Sequence, residues 1–206
     1  MKSALARSLI YLPLLLSHLS GQSLDVMFVL ETSPGTEQQI GLIRARDLKE
    51  SDRAGVIAFA RTVQLLQPLT ENREDFSKAL QRAGTRITIG AAFQSVQGAP
   101  VNLIEALRLS LRELGEGASE GRKRAVIVLV AGEDPSLAAN LDSLKTLLAE
   151  SEARLFAVAI TRVSGRAYSF PVMTAQFLNQ LAKDSGGKLF RGGWDLKSIL
   201  AAARKP

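Results

Sequence analysis

Leu24-Asp-Val-Met-Phe-Val-Leu-Glu-Thr-Ser-Pro-Gly35 is the stretch on which the reading of this chain turns. Val26–Leu30 is an unbroken apolar run of branched and aromatic types, which suits a strand covered on both faces. Glu31, Thr32 and Ser33 then place side-chain oxygens where that strand ends. Open α/β sheets bind their ligands at the carboxyl edge of the strands, so the loop is the first candidate site.

Working outward, strand-like runs alternate with helical periodicity. The sequence predicts strands over Leu24–Leu30, Ala54–Ala60, Thr62–Leu69, Ala125–Ala131, Arg154–Ile160 and Lys188–Arg191. The third follows the second after a turn too short for a crossover, so it is expected to be antiparallel. Helices are expected over Thr36–Leu48 (weakened by Gly41), Glu74–Ala83, Asn102–Leu114, Leu137–Ser151, Met173–Asp184 and Asp195–Ala203. Asn102 reads as an N-cap, and Thr85–Val101 as a long irregular loop. Alternation of this kind implies α/β: a three-layer Rossmann-like sandwich around a mostly parallel sheet.

The chain has 206 residues, enough for one domain. Residues 1–23 read as a secretory signal peptide, with Lys2 and Arg7 before an apolar core at Ser8–Leu16 and small residues at Ser20, Gly21 and Ser23. Residues 24–206 form the expected domain. The protein is therefore expected to be secreted or periplasmic, and to meet a membrane only if the leader stays uncleaved. Pro13 and His18 interrupt a stretch short of the roughly 20 apolar residues that spanning needs.

The chain has no cysteine, which excludes disulfides, thiol catalysis and an acylated-cysteine anchor. Its one histidine, His18, lies in the leader, so Ser-His-Asp catalysis and the usual zinc sites are excluded from the rest. No phosphate-binding glycine loop is present. Gly115–Gly121 follows a predicted helix instead of a strand and reads as a connector. A Ser-Lys dyad on Ser33 would need a lysine that spacing does not identify. Glu74 and Asp75 read as a helix start. The net charge of +6 falls to +4 without the leader. Arg122-Lys123-Arg124 is the dense basic run, lacks interleaved aromatics and reads as a solvated loop, so no nucleic acid is expected as a partner. Phe190, Trp194 and Tyr168 read as core or rim packing.

Several segments together resemble a von Willebrand factor type A domain, also called integrin I-like. The family's Asp-x-Ser-x-Ser loop is matched by Glu31-Thr32-Ser33-Pro34-Gly35. Asp52 through Gly55-Val56 to Phe59 resembles its second strand, and Pro68-Leu69-Thr70 the end of its third. Ala99–Leu103, Arg124–Glu133, Phe156–Ile160 and Leu181–Gly187 follow in the family's order. The resemblance implies strand order 3-2-1-4-5-6, giving a six-stranded sheet with one antiparallel edge strand.

The family's metal-ion-dependent adhesion site takes five side chains from three loops. The resemblance places Glu31, Ser33, Gly35, Val101 and Ala131 at those positions. Only Glu31, longer by a methylene, and Ser33 carry oxygen. Mg²⁺ demands near-ideal octahedral oxygen geometry, so no metal site and no cofactor are expected, with at most weak Mg²⁺, Mn²⁺ or Ca²⁺ binding. Glu133 and Asp134 read as an acidic start to the Leu137–Ser151 helix, and Asp134 as a possible rescuing ligand. The expected function is a non-catalytic interaction or scaffolding module for an unknown protein partner. Its partner-binding face would hold Thr32, Ser33, Pro34, Pro100, Val101, Glu133 and Asp134. The alternatives are metal-dependent adhesion through a rearranged site, or an enzyme of unfamiliar type.

Overall fold

The computed structural model describes residues 22–93, 102–164 and 167–205, with the backbone alone of 86–93, 162–164 and 167–169. A six-stranded sheet runs in the order β3-β2-β1-β4-β5-β8, formed by β1 (Leu24–Glu31), β2 (Arg53–Phe59), β3 (Val63–Thr70), β4 (Lys123–Val130), β5 (Ala153–Ala159) and β8 (Lys188–Arg191). Every pairing is parallel except β2 with β3. The fold class and strand order match the expectation. A hairpin that the sequence analysis did not foresee, β6 (Arg162–Ser164) and β7 (Ala167–Ser169), follows β5.

Side-chain alternation divides the core in two. Val26, Phe28 and Leu30 face α1 (Glu37–Ile40), α2 (Arg73–Phe93) and α6 (Leu196–Ala203). Met27 and Val29 face α3 (Leu103–Glu116), α4 (Leu137–Glu150) and α5 (Val172–Asp184). On the first side the Phe28 and Phe76 rings meet with centroids 5.2 Å apart.

Three expected elements differ. The Thr36–Leu48 helix shrinks to the single turn α1 and a 3₁₀ turn at Ala45–Asp47, because Gly41 closes α1. Helix α2 continues to Phe93 through residues expected to be irregular; the rest of that segment, 94–101, lies outside the described residues, as does most of the leader. Two glycines of the family resemblance have steric reasons. A Cβ on Gly187 would stand 1.9 Å from the Leu155 carbonyl oxygen. Gly186, at φ 74°, ends α5: its N–H bonds Lys183 O, and that of Gly187 bonds Ala182 O, the paired pattern of a Schellman stop.

At the amino edge of the sheet lies a buried ionic network. Asp25, fully buried, accepts from Arg53 Nη2 at 2.5 Å and Arg122 Nε at 2.6 Å. Its hydrogen bond raises the Arg53 pKa above the ordinary value, against an opposing effect of burial. Asp52, also fully buried, accepts from Leu24 N at 3.0 Å, Lys49 N at 2.7 Å and the Arg204 guanidinium. The expectation of a solvated basic loop at 122–124 is therefore corrected. The Arg122 and Arg124 side chains are each only 15% exposed, the first on Asp25 and the second on Ser151 O at 3.0 Å, because the buried carboxylate and an open carbonyl draw them inward.

Asp52 joins the first residue of β1 to the end of α6, so its loss orphans a buried guanidinium and two amides. Asp52→Ala should lower unfolding stability by about 3 kcal/mol, read as a reduced urea midpoint at unchanged slope. Asp184→Ala, which breaks only exposed contacts, the pair with Lys145 and the bonds from Gln180 Nε2, should move the midpoint little.

Candidate functional site

The carboxyl ends of β1 and β4 meet where the sheet order reverses, and the loop after β1 is built around Glu31. Its carboxylate is fully buried, and burial of such a group is tolerable only with hydrogen-bond donors around it. Oε2 accepts from Ala131 N at 2.6 Å and Gly132 N at 2.8 Å. Oε1 accepts from the Ser33 hydroxyl. The longer side chain thus reaches across to the backbone that follows β4 and binds its amides.

The loop is fixed by further bonds. Thr36 Oγ1 donates to the carbonyls of Glu31 and Ser33, each at 2.8 Å, and Thr32 N donates to Phe59 O at 2.8 Å. Gly35 sits at φ 95°, in the left-handed region where a side chain is strained, and its N–H donates to the Glu37 carboxylate at 2.8 Å. Glycine at this position is thus a requirement of the turn as well as the absence of a hydroxyl.

The two acids after β4 do not simply open α4, and that reading is corrected. Asp134 Oδ2 accepts from Leu103 N at 3.0 Å and Ile104 N at 3.4 Å, capping α3 from outside its own sequence neighbourhood. Asn102, expected to do this, makes no side-chain cap bond, because its backbone is held instead by Asn102 N donating to Ala60 O at 2.8 Å. Asp134 Oδ1 accepts from Ser136 N at 3.0 Å and from its hydroxyl, which turns the chain into α4. Glu133 caps α5, accepting from Met173 N at 3.1 Å and Thr174 N at 2.8 Å. Thr174 Oγ1 in turn accepts from Asp134 N at 2.8 Å. Free amides at helix starts are what such carboxylates satisfy.

Glu31, Ser33 and Ala131 therefore come together, with Gly35 on the same loop, while Asp134 turns to the starts of α3 and α4; Pro100 and Val101 lie outside the described residues. Ser33, Thr32 and Asp134 are buried, while Pro34 and Glu133 are exposed. Val172 and Met173, missed in the sequence, stand beside the Glu133 cap and are 54% and 51% exposed. Among the described residues, no group of three or more His, Cys, Asp or Glu gathers as a metal ion would need. Of the aromatics, Trp194 packs partly buried on the α6 side and donates Nε1–H to Gln39 Oε1 at 2.7 Å.

No protein-family model matches the sequence, and no curated protein does. Solved structures do share the fold. BatB, a conserved hypothetical protein from Bacteroides thetaiotaomicron, superposes with a TM-score of 0.61 at 18% identity, covering 88% of this chain and 96% of that one. An aerotolerance-related membrane protein from Bacteroides fragilis gives a TM-score of 0.57 at 16% identity over 89% of this chain and 100% of that one. The SpRpn10 VWA domain gives a TM-score of 0.53 at 13% identity, covering 86% and 93%. The fold is that of a von Willebrand factor type A domain.

The length of Glu31 is what the arrangement depends on. Glu31→Ala leaves two buried amides unpaired and should cost about 3 kcal/mol in a denaturant titration. Glu31→Asp, too short to reach both amides, should cost nearly as much. Glu31→Gln, which keeps one acceptor oxygen at full reach, should cost about 1 kcal/mol. An aspartate variant as stable as the parent would show that reach is not the reason for the glutamate.

Proposed function

We propose that the protein is an exported, non-catalytic protein-interaction module that holds its apical loops together with the Glu31 carboxylate instead of a metal ion. The observation that carries this reading is the pair of bonds from Ala131 and Gly132 amides to one Glu31 oxygen. A carboxylate with its oxygens committed to backbone and Ser33 offers little to a cation. Asp134, the candidate for rescue, is committed to α3 and Ser136. The residues that remain do not fit a metal site of the family's kind. Export rests on the leader at 1–23. A similar structure described as a membrane protein fits a domain delivered across, or kept at, a membrane, and among the described residues no helix is long and apolar enough to cross one.

Beside the exposed Glu133 the apical face offers apolar surface: Pro34, Pro135, Val172 and Met173 are exposed. Apolar anchors of this kind are what a partner buries at the centre of an interface. No serine-histidine or thiol chemistry is available to make this face catalytic.

A thermal melt in EDTA, repeated with millimolar Mg²⁺, Mn²⁺ or Ca²⁺, tests the absence of a metal. Stabilisation follows RT ln(1 + [L]/Kd), so a Kd above the added concentration shifts Tm by no more than about 1–2 °C. A rise of several degrees that Glu31→Gln removes would establish metal-dependent adhesion instead. For the face itself, a Val172→Asp, Met173→Asp double variant should change stability by no more than about 1 kcal/mol, since about half of each side chain already stands in solvent. The same variant should lose capture of the physiological partner in a pull-down; full retention would move the binding surface elsewhere.

A further inference from the structure

A second surface lies away from the apex, between the 40–46 segment and α2. It is an open groove of about 500 Å³. Ile40 and Ile43 form its floor, each 5% exposed, and Leu80 of α2 forms a wall. Arg44 and Arg46 also line the groove and stand exposed, and neither makes an ion pair or side-chain hydrogen bond with a described residue. Leu42, between two lining residues, is 46% exposed, one of three large apolar side chains so exposed among the described residues.

We propose that this groove docks a short acidic segment of a partner protein, with apolar side chains set on Ile40, Ile43 and Leu80 and carboxylates facing Arg44 and Arg46. The apolar floor supplies affinity without direction. The arginines supply the sign of the charge, and guanidinium groups with no internal partner pair readily with carboxylates. Glu37 also lines the groove, but its carboxylate is engaged by Gly35 N, which leaves the two arginines to set the sign of the rim. A small molecule is a poorer occupant, because the groove is open and lacks convergent buried polar groups. The leader at 1–23 is also a poor occupant, since it carries Lys2 and Arg7 and no acid, the same sign as the rim. This surface is independent of the apical face and does not rest on the reading given for it.

The test uses the purified protein and two fluorescein-labelled twelve-residue peptides. One sets two leucines a helical turn apart among Asp and Glu; the other replaces every acid with Lys. Fluorescence anisotropy should give the acidic peptide a Kd of roughly 10–100 µM that weakens with salt, and the basic peptide at least a roughly tenfold weaker one. Arg44→Glu with Arg46→Glu should reverse that preference. Gly84→Phe is expected to keep the fold, because a Cβ there meets no described atom within 4 Å, and it should block the groove with no fall in Tm. Failure of the acidic peptide to bind below about 1 mM would overturn the proposal. So would equal binding to the parent, the double glutamate variant and Gly84→Phe. Self-association of the protein abolished by the arginine reversals would assign the groove to a second copy instead.

Discussion

Everything at the carboxyl edge of this sheet depends on one buried carboxylate finding enough donors. β1 is buried along its whole length, so Glu31 at its end has no access to water. A charge in that position is stable only if fixed dipoles replace the lost solvent. The amides of Ala131 and Gly132 do so, and with the Ser33 hydroxyl they bind the first and fourth strands into one apex. The extra methylene of glutamate is what allows one side chain to make this bridge. Two further carboxylates extend the same solution: Asp134 to the start of α3, Glu133 to the start of α5. Three acids that could have gathered around a cation are distributed among helix ends and loop amides.

The amino edge solves a similar problem with side chains. Asp25 and Asp52 are as buried as Glu31, but their partners include arginines, which bring charge as well as donors. Ion pairs of this kind offset desolvation only when the geometry is good and the remaining lone pairs are used. Asp52 meets that condition by accepting two backbone amides in addition to Arg204. The consequence is mechanical. The first amide of β1 and the last turn of α6 are both held by the carboxylate of a loop residue between β1 and β2.

The fold was readable because its signals are local. Apolar runs gave β1, β4 and β5, leucine spacing gave α3 and α4, and a short turn gave the antiparallel β3. What escaped were features set by neighbours distant in the chain. Asn102 has the composition of a cap, yet the bond is made by Asp134, and no spacing reveals that partner. Arg122 and Arg124 look like solvated charge until the buried Asp25 and the Ser151 carbonyl are placed beside them. The resemblance set Glu31, Ser33 and Ala131 side by side as ligand positions; in the structure hydrogen bonds join them, where the sequence counted missing ligands. Val172 and Met173 could have been noticed only as apolar residues after a proline at a helix start, a weak signal.

Gly41 shows how one residue shapes two surfaces. A helix running from Thr36 to Leu48 would have laid a continuous row of side chains along α2. Closed after Ile40, the segment instead turns at Gly41 and Leu42 and resumes as a 3₁₀ turn, and an open groove lined by α2 residues is left beside it. The same fifteen or so residues begin at the apex, where Gly35 needs its left-handed turn and Glu37 secures it. Beyond the break at Gly41, Ile43 and Leu48 are buried in this arrangement as well, so the break costs the core little. What the break leaves is Leu42 46% exposed, followed by Arg44 and Arg46, which make no ion pair with a described residue, beside a groove with an apolar floor: a local inconsistency with a purely structural segment.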